Sequence, residues 1–316
     1  MNKYFYLSMT RFQMDFPDET YAVAVSGGAD SMALLHWMKN SGVKIVALTV
    51  DHKLRPESKI EARHVASVCE KLGTKHEILE WTGDKPDVGI ENAARKARYD
   101  LLLSYCKKNN IGVLATAHHA DDQIETFLMN LGRGSGVYGL AGIRERTEQG
   151  GIIVFRPLLR VPRADLRNYC DENKIRYFDD AMNDDEKYLR VKIRGNRGFL
   201  AEKLGISDGR LLLAIENLER ARNYIESESK KIIHKIPVEF DAPILLNVPD
   251  ELRFRALSMM LSADYPIRLD DIKNAFAKLD GGDCKFTLAG FNIRKLNDKI
   301  RIWKEGTKWQ KSKKRN

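Results

Sequence analysis

Cysteine is scarce in this 316-residue sequence, which contains four cysteines and no Cys-x-x-Cys pair. Their scatter argues against a cysteine-ligated zinc or iron–sulfur site and favours a reducing compartment, so we expect a cytoplasmic protein. Long apolar runs are also absent: no stretch approaches the ~20 residues that cross a bilayer, which predicts no membrane association. The first twenty residues include Arg11, Asp15 and Glu19 and no continuous apolar segment, so we expect no signal peptide.

Acidic residues are outnumbered by basic ones. The chain has 53 Lys and Arg against 44 Asp and Glu, which gives a net charge of +9 and a pI near 9.2. A basic protein attracts polyanions such as nucleic acids, but many basic proteins bind none, so the charge alone does not identify a partner. The length is typical of about two domains.

Apolar runs that are typical of buried strands alternate with helical patterns between Tyr21 and Tyr177. After Tyr21–Val25, the predicted strands are Val43–Val50, His76–Leu79, Ile111–Ala115 and Ile152–Phe155. The predicted helices are Glu57–Leu72, Glu91–Lys108, Asp121–Leu131 and Arg163–Asn173. This alternation predicts an α/β fold with an N-terminal doubly wound parallel sheet, whose ligands bind beyond the carboxyl ends of the strands.

A change of pattern predicts a second, smaller domain. A long helical period runs from Ser207 to Ile232, and a shorter α+β pattern continues to Trp303. We therefore predict a catalytic domain over residues 1–205. Residues 206–316 are predicted to form a helical linker, a small C-terminal α+β domain and a basic tail.

The first informative motif follows the first predicted strand and reads Ser26-Gly27-Gly28-Ala29-Asp30-Ser31. Without Cβ atoms at its two glycines, backbone amides can approach a phosphate closely, and the following helix N-terminus adds partial positive charge. The Gly-Lys-Ser/Thr ending of a Walker A loop is missing. Asp30 is placed where a carboxylate could hold Mg²⁺ against bound phosphates. The simpler alternative is an ordinary strand–turn–helix with polar caps.

A second cluster begins at the end of a later strand and runs from His118 to Glu125. Its two adjacent histidines leave the strand end in opposite directions, so we expect one to face the site and the other to support it. Asp122 and Glu125 share one face of the following helix and form an anionic pocket suited to an amine or to Mg²⁺. The alternative is a set of acidic helix caps beside a core histidine.

Other polar groups leave two interpretations open. His52 and Arg55 follow a strand and could contact a nucleotide or lie on a solvated loop. Arg95 and Arg98 share a helical face with Glu91. This face could contact a ligand, or it could be an exposed face of ion pairs. The glycine-dense segment around Arg133 could bend over a phosphate or an anticodon, or form a surface loop.

The loop Ser26–Ser31 resembles that of the N-type ATP pyrophosphatases, the PP-loop superfamily, which cleave ATP between its α- and β-phosphates. The combined order of motifs is similar to that of the tRNA(Ile)-lysidine synthetases over most of residues 21–197. Two residues depart from that pattern. Met182 stands where Ser or Thr is usual, and Val191 stands where Asn is usual. The motifs that carry the resemblance are Ser26–Ser31, Asp51-His52 with Leu54-Arg55, Arg95 with Arg98-Tyr99, His118–Thr126, Arg133–Gly136, Arg156–Leu158, Asp179-Asp180, Asn183 and Arg190 with Arg194.

The resemblance implies a ligase that uses ATP, Mg²⁺ and L-lysine to convert the wobble cytidine of CAU-anticodon tRNA(Ile) to lysidine. It implies ATP binding by Ser26, Gly27, Gly28, Ala29, Asp30 and Ser31, with Asp30 as the magnesium ligand. It implies lysine binding by Asp122 and Glu125, and catalytic roles for Asp30, His118, Asp122 and Arg95. It implies tRNA binding by Arg55, Arg133, Arg190 and Arg194. A homodimer is among the assemblies that it implies.

Three other classes of protein share part of this pattern of motifs. A tRNA thiolase of the same superfamily would attach sulfur to a base, but some of those enzymes use paired cysteines, which this sequence lacks. A small-molecule ligase such as an NAD or GMP synthetase would not need the basic tail or the C-terminal domain. A non-catalytic RNA-binding protein would not need a phosphate loop together with Asp122 and Glu125.

Overall fold

The computed structural model describes residues 2–54, 57–83, 85–86, 88–179, 189–234, 239–261 and 267–306. The chain divides into two compact units, Met1–Glu216 and Asn217–Asn316. The division falls inside one continuous helix, α9 (Asp208–Ile233). The boundary that we place near residue 205 stays a prediction.

The first unit is built on a six-stranded sheet with the order β3-β2-β1-β4-β6-β5. Neighbouring strands run parallel except β5, which pairs antiparallel with β6 at the sheet edge. The predicted α/β fold with a doubly wound parallel sheet is confirmed, except that the edge strand β5 runs antiparallel to its neighbour. The strands are β1 (Thr20–Ala24), β2 (Lys44–Asp51), β3 (Lys75–Glu80), β4 (Val113–Ala115), β5 (Arg146–Gln149) and β6 (Ile152–Phe155).

Alternate residues of β1 show why the sheet is covered on both faces. Tyr21 and Val23 belong to one buried apolar cluster, whereas Ala22 belongs to a second cluster. Successive side chains of a strand point to opposite faces, so a strand buried on both sides is apolar at every position. The helices of this unit are α1 (Lys3–Asp15), α2 (Ala29–Asn40), α3 (Glu57–Lys71), α4 (Ile90–Lys108), α5 (Ala120–Gly132), α6 (Val137–Leu140), α7 (Arg163–Glu172) and α8 (Leu189–Leu204).

Three of these helices, α1, α6 and α8, were not predicted from the sequence. Helix α1 buries Phe5, Met9 and Phe12, and the ring of Phe12 stacks on that of Phe155 with the centroids 4.1 Å apart. Helix α8 has no buried residue among those described and is held instead by ion pairs of its arginines. Its mixed, strongly basic sequence therefore gave no clear apolar period.

The second unit contains a four-stranded antiparallel sheet with the order β7-β10-β9-β8. Its core contains Phe240, Leu257, Phe276 and Ile293, which agrees with the predicted α+β pattern. No helix in the described part of the chain is long and apolar enough to cross a membrane. The further elements are β7 (Glu239–Asp241), α10 (Pro243–Leu246), α11 (Asp250–Met260), α12 (Leu269–Asp280), β8 (Cys284–Leu288), β9 (Phe291–Leu296) and β10 (Lys299–Lys304).

Candidate active site

The two informative motifs meet at the carboxyl edge of the sheet. Strands β1 and β4 are parallel neighbours, with Tyr21 opposite Val113 and Val23 opposite Ala115, so the segments that follow them emerge side by side. A cavity of about 830 Å³ opens between these segments. Predicted site residues on its wall are Ser26, Gly28, Asp30, Ser31, Arg95, His118, Asp122, Glu125, Arg190 and Arg194.

The phosphate loop is shaped by Ser31. The Ser31 hydroxyl accepts a hydrogen bond from the Ser26 backbone N–H (3.1 Å) and donates one to the Gly28 carbonyl (2.9 Å). Gly27 has φ +89°, a left-handed conformation that other residues rarely adopt. Gly28 lies on the cavity wall and caps the N-terminus of α2, whereas Ala29 is buried. The loop is thus closed by its own side chain, as expected of a preformed anion cradle.

Asp30 lies at the point where the two motifs meet. Its Oδ2 is 3.5 Å from His119 Nε2 and 3.6 Å from Arg163 Nε. Its Oδ1 is buried and has no hydrogen-bond partner in the part of the chain that the structure describes. A buried, unpartnered carboxylate oxygen fits the predicted magnesium ligand, since Mg²⁺ is commonly held by one or two carboxylates together with substrate phosphates. Among the described residues, no group of three or more His, Cys, Asp or Glu side chains could hold a metal alone.

The pKa values of the two neighbouring histidines are shifted in opposite directions. Burial lowers the pKa of His118 to about 4, assisted by the charges of Arg156 and Arg95, while Asp122 opposes the shift. Thr116 Oγ1 lies 3.0 Å from His118 Nδ1. Burial also lowers the pKa of His119, but its hydrogen bond to Asp30 and the nearby carboxylates outweigh this and raise the pKa overall. A neutral His118 and a carboxylate-paired His119 therefore stand on one cavity wall.

The two carboxylates of α5 that are predicted to bind lysine, Asp122 and Glu125, have different partners. Asp122 Oδ2 accepts the backbone N–H of His119 (3.0 Å) and so caps the helix. Glu125 is 1% exposed, and its Oε1 accepts two hydrogen bonds from Arg194, from Nε at 3.0 Å and from Nη2 at 2.9 Å. The other oxygen of Glu125, Oε2, is buried and accepts no hydrogen bond from any described residue. That oxygen is free to accept from a ligand cation in the cavity.

Helix α4 supplies positive charge to the same cavity. Arg95 and Arg98 lie 5.4 and 5.9 Å from the ring of Tyr99, and all three line the wall. Burial and the charge of Arg95 lower the pKa of the Arg98 guanidinium. This wall is suited to an anion.

The remaining predicted residues are placed differently. Arg133 caps the C-terminus of α5 and is exposed, away from the cavity wall. Arg190 lines the cavity wall, and so does Val191, one of the two residues that depart from the family pattern. Arg55 and Met182 lie outside the described residues, as do Asp180, Asn183 and the end of the basic tail.

Sequence reasoning missed Arg163, which lines the cavity beside Asp30. Arg163 is the first residue of α7, where a cation is unfavourable because it lies next to the positive end of the helix dipole. This unfavourable position is the signal in the sequence that could have pointed to Arg163. Asp121, whose Oδ2 accepts the Arg163 backbone N–H (2.8 Å), also pairs with Arg197 of α8. These contacts join α5, α7 and α8 around the site.

Comparisons with known proteins agree with this geometry. A family model described as a PP-loop domain matches residues 1–197. The tRNA(Ile)-lysidine synthase of Wolbachia pipientis wMel is 35% identical over 313 residues, which cover 93% of this chain and 73% of the relative. That of Bradyrhizobium diazoefficiens is 36% identical over 281 residues, which cover 82% and 77%. Among solved structures, the U34-tRNA thiolase NcsA from Methanococcus maripaludis matches with a TM-score of 0.57 at 15% identity, over 69% of this chain and 79% of that chain, a likeness of fold alone. The PP-loop domain model matches more than half of the chain, and both of these relatives, which match most of the chain, have the same name. This chain therefore belongs to the tRNA(Ile)-lysidine synthase family.

Proposed function

We propose that this protein is an ATP-dependent ligase that joins L-lysine to carbon 2 of the wobble cytidine in CAU-anticodon tRNA(Ile), giving lysidine, AMP and pyrophosphate. One observation carries the proposal: a single cavity holds the phosphate loop on one side and Asp122 with Glu125 on another. A nucleotide and an amine can therefore react inside it. The names of the relatives supply the tRNA and the product.

In the first step, the loop would bind the β- and γ-phosphates of ATP through backbone N–H groups at the N-terminus of α2. Mg²⁺ held by Asp30 would neutralise the charge that develops on the phosphates. The cytidine O2 attacks the α-phosphorus, a P–O bond forms, and the bond to the β-phosphate oxygen breaks. Pyrophosphate leaves, and the base is adenylated at O2.

The cationic wall serves this step. Arg95 lines the cavity and can hold the α-phosphate oxygens through the transition state. His118 is neutral at pH 7, since its pKa is lowered to about 4 by burial. A neutral imidazole can donate a hydrogen bond to the base or accept one from it without adding charge.

In the second step, the lysine ε-amine attacks carbon 2, the C2–O bond breaks, and AMP leaves. Free lysine is almost fully protonated at pH 7, because its side-chain pKa is about 10.4. Glu125 Oε2 and Asp122 would bind the ammonium group, and one of the two carboxylates would take its proton before attack.

The tRNA would be held by its phosphates. Arg190 lies on the cavity wall, and Arg133, the C-terminal cap of α5, is exposed, so both are suited to contacts with the tRNA backbone, which weaken as salt rises. The wobble base must leave the anticodon stack to enter the cavity. The proposal implies a cytoplasmic reaction, where tRNA is used. A homodimer stays a prediction that rests on the family resemblance.

The test is incorporation of radiolabelled lysine into CAU-anticodon tRNA(Ile) with ATP and Mg²⁺. Wild type is compared with Asp30→Ala, Asp122→Ala and the control Asp100→Ala, which alters an exposed carboxylate on α4. We expect labelling that requires ATP, is lost in the first two variants and persists in the control. If folded wild type splits ATP to AMP with this tRNA but incorporates no lysine, the reaction is a different tRNA modification.

A further inference from the structure

A backbone contact holds the phosphate loop from outside the cavity. The N–H of Phe178 donates a hydrogen bond to the carbonyl oxygen of Gly27 at 3.0 Å. Phe178 lies far along the chain, after α7, and belongs neither to the loop nor to the cavity wall. This contact therefore needs an explanation other than ligand binding.

The segment that carries Phe178 is fixed at several points. His64 Nε2 of α3 donates a hydrogen bond to the backbone carbonyl of Arg176 at 2.8 Å. The Tyr177 hydroxyl donates to Asp171 Oδ1 at 3.1 Å. With its neighbours tied in this way, the Phe178 N–H is a fixed donor.

The geometry of a trans peptide gives the contact a consequence. The carbonyl of Gly27 and the N–H of Gly28 belong to one planar unit and point in opposite directions. A Cβ on Gly27 would lie 3.6 Å from the side chains of both Phe178 and Val65, so the Gly27 side of the unit faces the protein. Gly28, in contrast, lines the cavity. Holding the carbonyl against Phe178 thus directs the Gly28 N–H toward bound phosphate.

Glycine makes this restraint necessary. Gly27 has φ +89° and lacks a Cβ, so its peptide can rotate more easily than that of another residue. If the Gly27–Gly28 peptide turned over, a carbonyl oxygen would face the phosphates and repel them. We infer that the backbone N–H of Phe178 is a positioning group that keeps the Gly28 N–H directed at the phosphates of ATP. The inference deepens the proposed function and rests on its ATP site.

The experiment removes this N–H alone. Phe178 is replaced by phenyllactic acid, which puts an ester in place of the amide and keeps the ring, and Phe178→Leu is the matched control that keeps the N–H and changes the ring. Affinities for Mg·ATP and for adenosine are measured by calorimetry. Neither ligand requires tRNA or lysine, so the outcome stands even if the proposed reaction is wrong.

Loss of one orienting hydrogen bond should weaken ATP binding roughly fivefold to tenfold in the ester variant. Adenosine binding should stay unchanged, because adenosine has no phosphate, and Phe178→Leu should bind both ligands within about twofold of wild type. Three results would overturn the inference: wild-type ATP affinity in the ester variant, equal weakening of ATP and adenosine, or the same selective loss in Phe178→Leu. Equal weakening would indicate general loosening of the unit.

Discussion

Replacing Glu125 by Gln should impair lysine binding selectively. The substitution keeps the shape of a side chain that is 1% exposed and removes its charge, so the buried Oε2 no longer attracts an ammonium group. Removing one partner of a buried, hydrogen-bonded charge pair costs about 2–5 kcal/mol. Arg194 is 33% exposed and already neutralises part of the Glu125 charge, so we take the lower end of this range of free energies. About 2 kcal/mol corresponds to roughly thirtyfold weaker binding.

The assay measures KM for lysine and KM for ATP in the labelling reaction, with thermal unfolding to confirm the fold. Glu216→Gln is the control, because Glu216 is 40% exposed and its pair with Arg160 is a surface contact at 3.4 Å. We expect a roughly thirtyfold higher KM for lysine in Glu125→Gln and unchanged values for ATP and for the control. An unchanged KM for lysine, or an equal rise for ATP, would refute the assignment of Glu125.

Three further predictions concern the framework of the site. Asp121→Asn should lower the free energy of unfolding by about 2 kcal/mol, because it breaks the ion pair with Arg197; urea denaturation showing no loss would contradict this. Because burial holds the pKa of His118 near 4 when folded, against about 6.5 unfolded, its contribution to stability is lost as pH falls from 6.5 toward 4. His118→Asn should therefore remove about 2 kcal/mol of the stability lost between pH 7.5 and 5.0, and an unaltered pH profile would count against the neutral histidine. Gly142→Ala should destabilise the protein by about 2 kcal/mol or more, since φ is +65° and the new Cβ would lie 2.2 Å from Gln123 Oε1; a variant with the wild-type Tm would refute this.

Strands and motifs of the first unit were predictable because their signals are local. The run Ile152–Phe155 is β6 with the same bounds, and the other predicted strands agree to within two residues. The loop Ser26–Ser31 could be recognised because its chemistry is contained in six consecutive residues. The parallel order then predicted that it would meet the His118 segment at one edge.

Other features carried no local signal. Strand β5 is short, polar and half-exposed, and it exists because its backbone pairs with β6 at the sheet edge. Helix α1 was missed because its buried residues, such as Phe5 and Phe12, are interspersed with exposed apolar ones, including Tyr6 and Leu7. Its position depends on tertiary packing against β6 rather than on a clean helical period.

The sequence by itself determined the α/β order, the phosphate loop and the placing of Asp122 and Glu125 on one helix, since each depends on neighbouring residues and on the periods of strand and helix. Only the tertiary structure decided which charges meet: Arg163 with Asp30, Arg194 with Glu125, and the Phe178 N–H with the Gly27 carbonyl. These partners lie far apart in the chain, so no local pattern relates them. They come together because the parallel strands bring their carboxyl ends to one edge, and the helices that cover the sheet extend side chains over that edge.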